Sequence, residues 1–215
     1  MKVQIEAEGG SSTAESRERL LEAAGQLMAE RGTTDISLSE IAARSGVNSA
    51  LVKYYFGNKA GMLMALLRRR LGQGMADLQQ LLKMDISPQD KLRIHISGMV
   101  NTYYQYPYVN RLMHELANEP SGDYGKQIAE EISLPVAKAQ RAILEEGRAK
   151  GIFREVDPLV FYFMIVGACD QLFHSRHQAR HVFGLEEIND DLKRRYVSEL
   201  CNNLIRGISA DPRAN

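Results

Sequence analysis

Apolar positions recur with helical spacing along almost the whole chain. Leu20, Ala24, Leu27 and Met28 fall at i, i+4, i+7 and i+8 and mark one apolar face, and Gly32 behind them suits a helix C-terminal cap. A second amphipathic stretch runs from Lys59 to about Met84. Pro88 opens another that reaches Tyr106, Pro107 breaks it, and a short helix fits Tyr108 to Asn118. Ser121 to Lys150 carries one long pattern that Pro135 should kink or split, since an interior proline removes a helix donor and crowds the preceding turn. Asp157-Pro158 is a helix start, with Asp as cap and Pro at the first helical position. That helix is predicted to run to about Phe183, with Gly184 behind it, and the last helix covers about Asn189 to Ile208. Residues 1–13 contain Gly-Gly-Ser-Ser without periodicity and read as a flexible tail. No strand-period segment longer than a few residues occurs, and no internal repeat. The expected class is all-α, with about nine helices.

Within this pattern the stretch Ile36–Met62, ISLSEIAARSGVNSALVKYYFGNKAGM, carries chemistry. Ser37 and Glu40 form a capping box, and Leu38, Ile41 and Ala42 make a narrow apolar face. Gly46 follows at once, where a sharp turn needs a left-handed residue. Asn48 can cap the next helix, with Val47 and Val52 as its hydrophobic staple. Two short helices thus meet across Ser45-Gly46-Val47, which is helix-turn-helix spacing. The outward face of the second helix is Asn48, Ser49, Ala50, Lys53 and Tyr54. Small residues allow close approach to a major groove, donors read base edges and a cation meets phosphate. Tyr55 and Lys59 follow where the chain would leave the groove. Asn58 caps the next helix, so the free amides there can also face phosphate. With Ser37 and Arg44 on the preceding helix, these residues are the candidate DNA-binding set. An ordinary helical hairpin inside a core has the same spacing, and the aromatic-glycine-lysine tail weighs against it.

The block IAARSGVNSALVKYYFGNK resembles the DNA-binding signature of the tetracycline-repressor (TetR) family of bacterial transcriptional regulators. Ile41, Ala42, Gly46, Val47, Val52, Tyr55, Phe56 and Lys59 match that signature. Ser45 stands where the family usually has Ala, Asn48 where it has Ser, and Lys53 where it has a phosphate-contacting Tyr. A lysine meets phosphate as a flexible point charge, and Tyr54 lies directly after it. The resemblance covers about Ser16 to Leu67. It implies a three-helix helix-turn-helix head at 14–58 and a helical effector-binding and dimerisation domain at 59–215. It further implies a homodimer through the last two helices, double-stranded operator DNA as partner, and a small-molecule effector that releases it. Two copies are also what groove readout at half-sites about 34 Å apart requires. Leu159, Phe163, Val166 and Cys169 are expected on one side of the penultimate long helix, and Tyr196, Leu200, Asn203 and Leu204 along the last. Candidate effector-binding residues are Met99, Tyr103, Tyr104, Met113, His114, Phe161, Met164, Asp170 and Phe173, which mix adaptable apolar groups with a few polar ones. The same residues at helical spacing also suit a plain core.

Composition first complicates this picture and then supports it. The 27 Lys+Arg balance 27 Asp+Glu, which excludes a uniformly basic nucleic-acid coat. The balance is uneven along the chain: residues 1–35 carry −3, residues 36–75 carry +5 and residues 76–215 carry −2. The positive excess therefore sits in the segment read as the DNA-binding head and the helix leaving it. The run Arg68-Arg69-Arg70 at that helix is expected to support DNA binding electrostatically. Apolar content of 44% excludes an intrinsically disordered chain. The two cysteines, Cys169 and Cys201, form no CxxC pair, and neither a secretory signal nor an apolar run near 20 residues is present, so a cytoplasmic protein is expected, not a membrane one. His174, His177 and His181 lie at i, i+3 and i+7 with Asp170 a turn before. They are open to three readings: a metal or acid–base site of an all-α enzyme, a pH-sensitive interface, or surface histidines. No HExxH, phosphate loop or nucleophile elbow supports an enzyme, and no cofactor is indicated. A helical partner-binding module, with the helix-turn-helix as scaffold alone, is the third alternative.

Overall fold

A computed structural model describes the backbone from Glu6 to Asp211 and side chains from Thr13. Among the described residues there is no strand, only an isolated antiparallel bridge between Phe153 and Ser209. The helices are α1 (Glu6–Arg31), α2 (Leu38–Ser45), α3 (Ala50–Phe56), α4 (Lys59–Lys83), α5 (Pro88–Gln105), α6 (Val109–Ala117), α7 (Tyr124–Ile128), α8 (Leu134–Ala149), α9 (Pro158–His174), α10 (Arg176–Phe183) and α11 (Asp190–Ile208). The all-α expectation holds, and two interruptions raise the number of helices above nine.

The first interruption is at Pro135. Between α7 and α8 the helix widens into a π turn over Ala129–Ser133, and the Leu134 N–H donates to Ala129 O, five residues back. The wider turn lets the chain pass a proline that offers no donor, so the helix continues where the sequence allowed a split. The second is at Ser175, with φ −102° and ψ 40°, which divides the helix predicted over Asp157–Phe183 into α9 and α10. Gln171 Nε2 donates to Ser175 Oγ at 2.9 Å across this point. At the N-terminus, α1 begins at Glu6, so the expected tail at 1–13 is helical from there. The glycine penalty, about 1 kcal/mol each, does not stop the helix. Residues 1–5 of that tail lie outside the described residues.

The chain divides into two compact units. The first comprises α1–α3, the beginning of α4 up to Arg70, and the segment Tyr108–Gly125 with α6. The second comprises Leu71–Pro107 and the chain from Lys126 onward. This departs from a boundary at residue 58/59, for a physical reason. Met62, Leu66 and Leu67 on the first turns of α4 are buried, as are Leu20, Ala24, Leu27 and Met28 on α1 and Val109, Leu112 and Leu116 on α6. Burying each large aliphatic side chain contributes about 1.5–3 kcal/mol, so these faces stay together. Polar bonds pin α6 to the same unit: Arg111 Nη1 donates to Gly32 O at 2.7 Å, and buried Thr34 donates to Glu115.

In the second unit, Leu92, Ile96 and Val100 of α5, Ile143 of α8, and Phe161, Ile165, Cys169 and Phe173 of α9 are buried. On α9 the inward residues recur every fourth position. Leu159 and Phe163 project outward, 67% and 65% exposed, with Val160 and Met164 beside them. Cys169 is therefore not on the side of Leu159 and Phe163, contrary to expectation. A helix apolar all round does not reveal from its period which stripe faces its own core. Tyr196 on α11 donates to Ala168 O, while Leu200 and Leu204 stay half-exposed. Cys169 and Cys201 are free and buried. Among the described residues, no helix is long and apolar enough to cross a membrane.

Candidate functional site

Helix α2 is set by its ends. Ser37 Oγ accepts from Glu40 N, and Glu40 Oε2 accepts from Ser37 N at 2.7 Å, completing the capping box. The Ser37 backbone N–H, then its hydroxyl, then Arg31 hold the Glu40 carboxyl down at about 2. Gly46 closes α2 in the left-handed region, φ 65°, and its N–H donates to Ala42 O. A side chain there would be strained and would also meet Arg19, which crosses from α1 to donate to Ser45 O. Ser45 Oγ accepts from Val47 N, tightening the turn.

Helix α3 then follows as expected. Asn48 Oδ1 accepts from Ala50 N at 2.9 Å and acts as the cap, one position before Ser49, which already has helical angles. Val47 and Val52 are both buried, as the staple requires. With Val52 fixed inward, Asn48, Ala50, Lys53 and Tyr54 are exposed, Tyr54 at 77%, and Ser49 and Tyr55 half-exposed. Tyr54 and Tyr55 meet edge to face with centroids 5.2 Å apart, and Arg17 of α1 sits 5.0 Å over the Phe56 ring. One face of a two-turn helix thus offers an amide, hydroxyls, phenols and an ammonium around a methyl group. That composition suits base edges and phosphates, and no catalytic arrangement is evident in it.

The exit from α3 is equally constrained. Gly57 takes φ 80°, and Asn58 Oδ1 caps α4 by accepting from Gly61 N at 2.7 Å. Tyr124, at the start of α7, donates to the same Asn58 oxygen at 3.1 Å. The first intrahelical bond runs from Met62 N to Asn58 O, so the amides of Lys59 and Ala60 precede it and have no intrahelical acceptor, as at any helix start that can face an anion. Gly61 lacks a side chain because a Cβ there would lie 2.2 Å from Phe56 O.

Other candidates are placed differently. Arg44 makes a two-pronged pair with Glu30, both contacts 2.8 Å, so its fork is engaged from within, and Glu30 is held below the usual carboxylate range by that bond. Arg69 and Arg70 pair with Glu18 and Glu22 of α1, so two members of the arginine run brace α1 against α4 instead of serving a free basic face. Among the effector candidates, Tyr103, Phe161, Asp170 and Phe173 are buried in the second unit. Tyr104 meets Phe173 edge to face at 6.0 Å, and Met99 lies 3.9 Å from Gln140. Met113 and His114 sit on α6, in the first unit. Met164 faces outward, 53% exposed, because it stands one position before Ile165, about 100° around α9 from that buried residue. The break at Ser175 takes His174 onto α9 and leaves His177 and His181 on α10, so the expected single histidine face is divided. Among the described residues, no group of three His, Cys, Asp or Glu is arranged to hold a metal ion.

Arg17, Arg19, Gly61 and Tyr124 were not singled out by the sequence. Only Gly61, two places behind Lys59 in the stretch Ile36–Met62, has a local signal. The other three act across long chain separations.

Comparison with known proteins agrees with this arrangement. The family described as "Bacterial regulatory proteins, tetR family" matches residues 20–66. The family described as "Tetracyclin repressor-like, C-terminal domain" matches residues 85–214, more than half of the chain. The HTH-type transcriptional repressor NicS of Pseudomonas putida is 22% identical over 196 residues, covering 90% of this chain and 92% of that one. A tetR-family regulatory protein from Rhodococcus RHA1 superposes with a TM-score of 0.72 at 19% identity, over 90% of this chain and 96% of that one. The ketosteroid transcriptional regulator KstR2 of Mycobacterium tuberculosis gives 0.69 at 20% identity, over 90% and 94%. The Lys53 and Asn48 departures leave the head's fold intact. The chain belongs to the TetR family of bacterial regulatory proteins and is a DNA-binding transcriptional regulator.

Proposed function

We propose that this regulator is a cytoplasmic repressor that binds a pseudo-palindromic operator as a homodimer and leaves it when a small molecule occupies the second unit. The observation that carries this reading is the exposed face of α3. Asn48, Ser49 and Ala50 would approach base edges, Tyr54 and Tyr55 would reach the groove wall, and Lys53 and Lys59 would meet phosphates on either side. Ser37 and Arg44 belong to the rim of the same contact. Dimerisation would use the outward apolar face of α9 with α11, because water-exposed Leu159, Val160, Phe163 and Met164 form a patch that monomers rarely leave open.

Effector binding falls to Met99, Tyr103, Tyr104, Phe161, Asp170 and Phe173. Release requires the effector to bind more tightly to the conformation whose two recognition helices no longer match successive grooves. Helix α4 is the natural transmitter, since it starts at Asn58 behind α3 and continues unbroken into the second unit.

The test is Lys53→Ala in equilibrium DNA binding across a salt series. The wild-type slope of log K against log salt should be steep, and the variant's shallower by about 1 per lysine removed from phosphate, with affinity lowered alike for related and unrelated sequences. An unchanged slope and affinity would remove Lys53 from the interface.

A further inference from the structure

The interior of the second unit contains one polar line. His95, Met99 and Tyr103 stand at i, i+4 and i+8 on α5. His95 and Tyr103 are buried, and Met99 is half-buried. Gln140 crosses from α8 with its amide nitrogen 3.0 Å from His95 Nε2 and 3.9 Å from Met99 Sδ. Gln140 is only 1% exposed, and its carbonyl oxygen, Oε1, has no hydrogen-bond partner. A buried acceptor left unmatched is rare, because it has lost water without gaining a donor.

Among the described residues, the buried charged groups of this unit are Lys91 and Asp170, the latter acting electrostatically on Tyr103 at the far end of the line. Lys91, one turn before His95, pairs with Glu146 at 2.8 Å and also donates to Leu82 O. His95 itself is neutral at physiological pH, since burial pulls it down to about 4. Neutral His95 accepts the Gln140 N–H at Nε2, which leaves the amide oxygen pointing away from it. The Met99 thioether, the adaptable gap-filler of helical cores, lies against the nitrogen of the same amide.

We propose that Gln140 Oε1 is the specificity-determining acceptor of the effector site, and that the effector is an uncharged molecule that donates an O–H or N–H to it while its apolar body displaces Met99. An ionised head would have to leave water for a site with no free counter-charge beside Gln140, whereas a neutral donor gains the partner the amide lacks. This inference rests on reading the second unit as the effector domain.

The experiment uses the full-length protein and matched probes differing in one group: hexanamide against hexanoate and benzamide against benzoate. Thermal unfolding midpoints are followed for wild type, Gln140→Leu and Gln140→Met, the last retaining chain length should leucine fail to fold. The amides should raise the wild-type Tm by about 2–4 °C at several times Kd, the acids by less, and the amide increment should vanish in the variants. The proposal is overturned by acids matching the amides, by equal amide increments in wild type and variants, or by amides that leave the wild-type midpoint unmoved. Operator binding is measured separately. A protein that takes amides through Gln140 yet binds no DNA keeps the site and loses the repressor reading, and the converse pattern does the opposite.

Discussion

Phe163→Asp should give a folded monomer that binds operator at least about 100-fold more weakly than wild type. The ring of Phe163 is 65% exposed on α9 and meets Tyr162 edge to face at 5.3 Å, so replacing it removes little packing within its own chain. Leu159, one turn earlier, and Val160 and Met164 beside it are similarly exposed. Next to this face is a cleft of about 340 Å³ lined by Val160, Phe161 and Met164 of α9 and Asn203, Leu204 and Ile208 of α11. A second copy of the patch laid across α9 and α11 would bury these groups, and a carboxylate at 163 would then be taken out of water without a partner. The loss of one half-site follows from the loss of the dimer, because each subunit presents one recognition helix. Every 1.4 kcal/mol of forfeited contact is tenfold in affinity. Sedimentation gives the oligomeric state, fluorescence anisotropy the operator affinity, and thermal unfolding the fold. A variant that stays dimeric would move the interface away from α9.

The second large effect is expected at Gly61. Glycine to alanine inside a helix ordinarily stabilises by about 1 kcal/mol. Here the added methyl would sit 2.2 Å from the Phe56 carbonyl oxygen, which is backbone and has no rotamer to escape into. The strain must separate the end of α3 from the start of α4. Gly61→Ala should therefore destabilise by about 1–3 kcal/mol, the usual cost of overpacking. It should also tilt α3 relative to the start of α4 that Asn58 caps. A displaced base contact is worth about 1–3 kcal/mol, which is roughly 5- to 150-fold in affinity for each half-site. The sign of the stability change is the diagnostic. A Tm that rises, as for an unhindered helical glycine, would show that the Phe56 carbonyl yields freely and that the α3–α4 junction does not position the recognition helix.

The head was readable in advance because its determinants are local. The Ser37–Glu40 box, the left-handed turn at Gly46, the Asn48 cap and the Val47–Val52 staple each act within five residues, and the structure contains all of them. What escaped the sequence acts over distance. Arg19 reaches Ser45 from 26 residues away, and Thr34 meets Glu115 across 81, so neither partner carries a periodic signal. The return of Tyr108–Gly125 to the first unit depends on such contacts, and it places the expected effector residues Met113 and His114 there. Charge was misleading for the same reason. Arg69 and Arg70 raise the local net charge, yet Glu18 and Glu22, about 50 residues upstream, are placed to neutralise them. On α9 the obstacle was different: with apolar residues all round, only tertiary packing decides that Phe161 turns in and Phe163 out.

The central claim, that paired α3 helices read an operator, is tested most directly by selecting binding sites from a pool of randomised duplex DNA with the wild-type protein. The account predicts enrichment of an inverted repeat whose half-site centres lie about 10–10.5 base pairs apart or a multiple of that, with one dimer per site. Enrichment of a single unrepeated motif, or none above the starting pool, would contradict it.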